Sequence, residues 1–302
     1  MSIEISCREY ERDDCDNIIE LFSTEFARDD RLLMRSYVEW LYELNPFGVA
    51  TIITAAINKK TVGFLAMIPV VLLRMGLERK AYYVVNVLVD KNFRGNNIFG
   101  KMIVTAQHQA RLEGALLMGH PNKAAIKSWQ RAEMQFRKPL QLHWAIPCFN
   151  GFSKYKFYNI NVGTEISAFA ACYNEESYNT SFYKIYLSSD YLLWRFINHP
   201  VTKYNITVME DAKKCVSLFI SKEIMPSIQL CIDVFCLEKY KRYRYCAAPF
   251  TTVSLVSRAD AYDIGGLYAV PFGKSLPFFC TDTRDAVEMN STDRLGLSIT
   301  DF

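Results

Sequence analysis

Apolar and polar residues alternate at Ile3, Ile5 and Cys7, the period of a half-buried strand. Asp13, Asp14 and Asp16 then place carboxylates where a helix N-terminus favours them, and Ile18, Ile19, Leu21, Phe22 and Phe26 continue as a helical apolar face. A second helix, Ser36 to Leu44, stops at Asn45-Pro46-Phe47-Gly48, because Pro46 restricts its predecessor and Gly48 permits a turn. Two strands, Ala50 to Ile57 and Val62 to Leu73, flank Asn58-Lys59-Lys60 and read as an antiparallel hairpin. A further apolar strand runs from Tyr82 to Val89. After a Gly/Asn loop comes a helix from about Asn96 to Glu113, with Ile98, Met102, Ile103, Ala106 and Ala110 on its apolar side. Ala115 to Gly119 is short and wholly apolar, a buried strand that pairs in parallel with Tyr82 to Val89 through a right-handed crossover. A helix from Lys123 to Glu133 and a strand around Gln141 to Ile146 complete this half. The fold class is α/β with a mixed sheet.

The pattern then repeats. Tyr37-x-x-Trp40-x-x-x-x-Asn45-Pro46 recurs as Tyr191-x-x-Trp194-x-x-x-x-His199-Pro200, and the same offset of 154 residues aligns Lys59-Lys60-x-Val62 with Lys213-Lys214-x-Val216. Both copies run from a helix through X-Pro into a strand, a basic turn and another strand, which reads as an internal duplication with lobes at 1–149 and 150–302. Coincidence between two generic helix-to-hairpin transitions is the competing reading. The offset carries Arg94-Gly95-Asn96-Asn97 onto Ala248-Pro249-Phe250-Thr251, so only the first copy keeps a glycine loop. Glu238 to Tyr245 interleaves basic and aromatic residues, either as a contact for a phosphorylated substrate or as a solvated face.

Composition narrows the classes. Half of the 302 residues are hydrophobic and 22% are charged, enough to bury a large core. A formal charge of +3, with the basic residues scattered, does not call for nucleic acid. The N-terminus lacks a basic segment followed by an apolar one, and the apolar runs are of strand length, so neither a secretory signal nor a membrane span is expected and the location expected is cytoplasmic. Nine cysteines without a C-x-x-C pair indicate neither a disulfide framework nor a zinc site, and no metal is expected.

The chemistry concentrates where the Tyr82–Val89 strand empties through Arg94-Gly95-Asn96-Asn97-Ile98-Phe99 into a helix, since backbone N–H groups at a helix N-terminus hold anions. With Asn122-x-x-Ala125-x-x-x-Trp129 after the next strand, this order resembles the GNAT superfamily of acyl-CoA N-acyltransferases over about residues 1–147. That family's pyrophosphate loop reads Arg/Gln-x-x-Gly-x-Gly/Ala; Arg94 matches, Asn97 stands at the glycine and Phe99 at the small residue. Leu295 to Phe302 looks like the closing strand of two-lobed members.

The resemblance implies a tandem GNAT-like fold and acetyl-CoA as co-substrate, with a small-molecule amine, an amino sugar or sugar nucleotide, as acceptor. Arg94, Gly95, Asn96, Asn97, Ile98 and Phe99 would hold the CoA pyrophosphate. Asn86, Val87, Leu88 and Val89 would run beside the pantetheine arm, with the Leu88 N–H polarising the thioester carbonyl. Asn122 would fix the arm. Trp129 occupies the position of a tyrosine acid in many relatives, and its indole cannot transfer a proton near neutrality. His120 is the first candidate base, or else a packing residue at an X-Pro corner, with Glu39, Glu133 and Asp301 behind it. Two other functions fit the same pattern: a catalytically idle CoA- or protein-binding module, and an aminoacyl transferase using charged tRNA.

Overall fold

The structure, a computed structural model, describes residues 2–28, 30–145, 156–159, 164–180, 183–226, 228–243, 252–257 and 269–281. Strand β1 (Glu4–Glu9) leads into α1 (Asp14–Ser23), then α2 (Arg35–Tyr42), β2 (Thr51–Ile57), β3 (Lys60–Arg74) and β4 (Leu77–Val89). Helix α3 (Ile98–Leu112), β5 (Leu116–Gly119), α4 (Ile126–Arg131) and β6 (Phe136–Ala145) follow. The second half holds β7 (Lys156–Asn159), α5 (Thr164–Tyr178), β8 (Lys184–Ile185), α6 (Ser189–Leu192), β9 (Asn205–Asp211), β10 (Lys214–Met225), β11 (Ile228–Cys236), β12 (Thr252–Ser257) and β13 (Ala269–Thr281).

Local chemistry accounts for the boundaries that periodicity misplaced. Helix α3 starts at Ile98, two residues later than expected, because Asn97 sits at φ 55°. Helix α4 spans only six residues, held between the turn at Asn122 and Glu133 at φ 60°. Strand β4 begins five residues early, at Leu77. Its charged stretch Glu78-Arg79-Lys80 pairs with Val71–Leu73 of β3 in a long hairpin closed by Met75 and Gly76 at positive φ. Strand β6 begins at Phe136, not Gln141.

One mixed sheet joins both halves in the order β1-β2-β3-β4-β5-β13-β6-β12-β11-β10-β9-β7. The duplication is visible in it. β9 and the start of β10 stand at the 154-residue offset from β2 and β3, and their turns match: Asn58 and Lys59 at φ 49° and 66°, Ala212 and Lys213 at φ 50° and 64°. β4 pairs β5 in parallel, as β11 pairs β12. The last strand of each half is exchanged: β13 lies against β5 of the first half, β6 lies against β12 of the second, and the two pair with each other.

Among the described residues, three cores divide the faces. The largest lies between the halves and gathers α1, α2, α5 and α6 with the Tyr83 and Val85 side of β4. The second sits under α3, with Ile98, Met102, Ile103, Ala106 and Ala110 on Ile53, Leu65, Met67 and Val84. The third, under the second half's sheet, is covered among the described residues by a 3₁₀ turn at Glu238–Tyr243 instead of a long helix. Tyr240 packs there and donates its hydroxyl to Asp211 at 2.7 Å, and Glu238 pairs with Lys184 at 2.6 Å. That part of the basic-aromatic stretch therefore makes structural contacts; the rest, and the closing strand expected at Leu295–Phe302, lie outside the described residues.

At the centre of the largest core, Trp40 and Trp194 stack with centroids 5.1 Å apart and exchange hydrogen bonds, each indole N–H donating to the other's carbonyl at 2.8 Å. The X-Pro corners are also equivalent. Asn45 Oδ1 accepts the Phe47 N–H at 3.0 Å, and His199 Nδ1 accepts the N–H groups of Val201 and Thr202 at 3.2 and 2.8 Å. Both residues are turn formers. Replacing Trp40 by Phe removes one donor and leaves a buried carbonyl without it, an expected loss of about 1–3 kcal/mol. Trp194→Phe should cost as much, and the double variant should fall short of the sum by about 0.5 kcal/mol or more, as urea unfolding of the four proteins would show.

Candidate functional site

Backbone geometry builds the turn from β4 into α3. Asp90 accepts the Asn92 N–H at 2.9 Å, winding Lys91–Phe93 into one 3₁₀ turn. Gly95 follows at φ 92°, with nothing within 4 Å of a would-be Cβ, so conformation and not crowding calls for glycine. Asn97, in the left-handed region, fills the place of a second glycine. Its side chain makes no capping bond and the first turn of α3 carries no acid, so the positive end of a 15-residue helix is presented without a competing carboxylate.

That end opens on a groove of about 1170 Å³. Val87, Leu88 and Val89 line it beside Ile98, Phe99 and Lys101 of α3, with Asn122, Ser128 and Arg131 opposite. The described lining includes Arg94, Lys101 and Arg131 and no carboxylate, an electrostatic match for a polyanion. Arg94 itself braces the loop: its Nε donates to the Val89 carbonyl at 3.1 Å and its Nη2 pairs with Glu25 at 2.7 Å. Its charge is thus shared. Asn96 lies outside the lining and donates its amide to the Phe93 carbonyl at 3.0 Å.

Inward, the groove continues into a cavity of about 220 Å³ where β4 and β5 part; Val87, Asn122 and Ala125 line both. The parallel pairing of β4 with β5 ends at Val84 opposite Gly119. A Cβ on Gly119 would stand 3.1 Å from the Val84 carbonyl and 3.0 Å from Phe279, so glycine is what lets three strands meet at the parting. Just beyond, β4 bulges: Val85 faces Ala66 and Leu88 faces Phe64, leaving Asn86 and Val87 together opposite Leu65, with Asn86 at φ 54°. Asp90 donates its N–H to Val62 of β3 at 2.9 Å, and donors alternate sides along a strand. Leu88 therefore directs its N–H at β3 too, away from the groove in which a carbonyl donor was expected. Val87 and Val89 face the other way, as the Val89 carbonyl's bond to Arg94 agrees.

His120 lies at the end of β5 in the inner cavity. Its Nδ1 is 2.9 Å from the Pro277 carbonyl, an acceptor only, so Nδ1 carries the proton and the neutral ring keeps its lone pair on Nε2. Burial lowers the His120 pKa from 6.5 to about 4, against the smaller raising effect of that hydrogen bond. Asn122 spends its Oδ1 on the Ala125 N–H at 2.9 Å, shaping the turn into α4 as well as lining the groove. Trp129 is 2% exposed, stacked on Phe279 at 4.4 Å and edge-on to Phe99 at 6.0 Å, so it walls the cavity with its ring. Of the other carboxylates, Glu39 pairs with Arg35, neither Glu39 nor Glu133 lines either cavity, and Asp301 lies outside the described residues.

Sequence reasoning missed several lining groups. Lys101 was within reach of it, three residues past Ile98 on the start of α3. Phe26, Tyr83 and Phe279 carried no such signal, and strand exchange brings Phe279, with the Pro277 carbonyl that meets His120, from more than 150 residues away in sequence.

Residues 6–127 match the family model described as an acetyltransferase (GNAT) domain. Over this segment the chain is similar to a GNAT acetyltransferase domain. The match stops short of Trp129 and of β13, both of which wall the inner cavity. Among solved structures, a GCN5-related N-acetyltransferase from Anabaena variabilis superposes with a TM-score of 0.66 at 12% identity, covering 93% of this chain and 73% of its own. A conserved protein of unknown function from Enterococcus faecalis, described as a probable N-acyltransferase, gives 0.65 at 9% identity over 93% and 72%. A tandem GNAT protein from the clavulanic acid biosynthesis pathway gives 0.54 at 9% identity over 94% and 100%. These likenesses show the fold. No curated protein matches the chain. Among the described residues, no helix is long and apolar enough to cross a membrane, and no three metal-ligating side chains cluster.

Because the folded state holds His120 neutral down to about pH 4 while an unfolded histidine protonates near 6.5, the unfolded state binds more protons between those values. Stability should therefore be fully present above about pH 6.5 and fall as pH drops towards 4. Urea midpoints of wild type and His120→Gln across that range should show a shallower slope in the variant.

Proposed function

We propose that this protein transfers an acyl group, most simply acetyl, from CoA to a small-molecule amine by direct attack. The observation that carries this reading is the continuity of an acid-free helix N-terminus, a cation-lined groove and the parting of β4 from β5. In this reading the first-turn N–H groups of α3, with Gly95 and Asn97, hold the pyrophosphate, and Lys101 and Arg131 add positive charge. The pantetheine arm lies along Val87 and Val89. Val87, not Leu88, supplies the N–H that polarises the thioester carbonyl, and Asn122 borders the arm.

The amine nitrogen attacks the carbonyl carbon; the C–N bond forms, the C–S bond breaks, and CoA leaves as the thiolate. His120 Nε2 accepts the proton released by the amine nitrogen. A base of such low pKa does not strip an ammonium, so it serves an amine that arrives neutral. Solvent protonates the thiolate, since Trp129 has no acid to offer. Residues 1–149 then form the acyl-CoA lobe and 150–302 the lobe that shapes the acceptor cleft, with β13 completing the donor side. An amino sugar or sugar nucleotide is the acceptor proposed, and the cytoplasm the setting.

The low basicity of His120 and the tryptophan at 129 favour one second reading, an idle module that binds CoA without turnover. Calorimetric titration with CoA and a thiol-release assay over amino sugars and peptides distinguish the two. Gly95→Pro, which forbids φ 92°, should weaken CoA binding about tenfold or more, a loss of about 1.4 kcal/mol. Arg94→Ala should cost less, because Glu25 already holds that charge. CoA affinity unchanged by Gly95→Pro would remove the loop from the site.

A further inference from the structure

The bulge at Asn86 and Val87 is held from outside the site. Asn86, at φ 54°, donates its Nδ2 to the Tyr42 hydroxyl at 2.8 Å. Tyr42 is the last residue of α2 and is fully buried. Its carbonyl accepts the Ala50 N–H at 2.8 Å, and its ring lies 5.7 Å from Phe64, the residue facing Leu88 across the bulge. Tyr42 thus touches the bulge twice, through the Asn86 amide and through the strand beside it. Two residues earlier, the same helix carries Trp40, bonded to Trp194 of the other half. One short helix therefore spans from the junction of the two halves to the backbone beside the inner cavity.

We infer that Tyr42 is a positioning residue: its hydroxyl fixes the Asn86 bulge and so aims the Val87 N–H at the thioester carbonyl, while never touching the substrate. This rests on the acyl-transfer reading above. An extended strand with no bulge would put Asn86 and Val87 on opposite sides of β4, whereas the bulge leaves both off the β3 ladder. Asparagine tolerates the left-handed backbone at a cost, and the bond to Tyr42 offsets it. Misplacing a preorganised donor lowers the rate of the chemical step and leaves binding through the distant pyrophosphate loop intact.

The test is a double-mutant cycle of Tyr42→Phe and Asn86→Gly in the full chain, read by acyl-transfer kinetics and by hydrogen–deuterium exchange of the 84–89 segment with CoA bound. Each single change should lower kcat about tenfold with KM for acetyl-CoA within about twofold, because only donor aim is lost. The double variant should lose no more than the worse single one, since both remove the same bond. Exchange in 84–89 should quicken in all three to the same extent. Additive losses near a hundredfold, or wild-type kcat in Tyr42→Phe, would overturn the inference. If wild type binds CoA but acylates no amine offered, the acyl-transfer reading fails, while exchange still decides whether Tyr42 holds the bulge. Should Tyr42→Phe not fold, Asn86→Gly carries that test: faster exchange in 84–89 supports it and unchanged exchange overturns it.

Discussion

The paired indoles of Trp40 and Trp194 are the constraint around which both halves are arranged. A buried indole N–H must find an acceptor, and a buried carbonyl at the end of a helix must find a donor. Here each satisfies the other through reciprocal bonds, so neither helix can shift without stranding polar groups in the largest of the described cores. In the sheet the two parallel strand pairs, β4 with β5 and β11 with β12, flank the exchanged strands β13 and β6. The last turn of helix α2, fixed at Trp40 by this lock, carries two residues later the tyrosine that meets the β4 bulge. Lobe junction and cavity wall therefore share one rigid piece.

Much of this could be read from local sequence. The recurrence of Tyr-x-x-Trp before an X-Pro corner pointed to two equivalent helices, and the indole bonds are made between residues separated by that same 154 positions. The loop was legible because Gly95 and Asn97 are the residue types that accept positive φ, and the structure places them there. What could not be read was non-local. Nothing near His120 or Trp129 shows that a strand from residue 269 onward would place the Pro277 carbonyl and the Phe279 ring against them. Nor does periodicity reveal which face of β4 donates, because a single bulged residue reverses the alternation. That is why Leu88 reads as a groove-facing donor in the sequence although its N–H is directed at β3 and that of Val87 is not.

The two halves have diverged in how they cover their outer faces. In the first, α3 supplies five buried apolar side chains and an uncommitted N-terminus. In the second, the described cover over the corresponding face is a 3₁₀ turn, a helix type that stays short and presents little dipole. Among the described residues, the halves match where they grip each other and differ where α3 of the first half opens on a groove.

Strand exchange also sets an order of events during synthesis. Strand β5 leaves the ribosome early, but β13 follows only some 160 residues later. At 5–20 residues per second this is roughly 10–30 s of elongation. Throughout that interval the first half has an unpaired edge at β5 and lacks the carbonyl that sets the His120 tautomer. The edge of β5 and the wall of the inner cavity beside His120 are therefore completed only once β13 has been made.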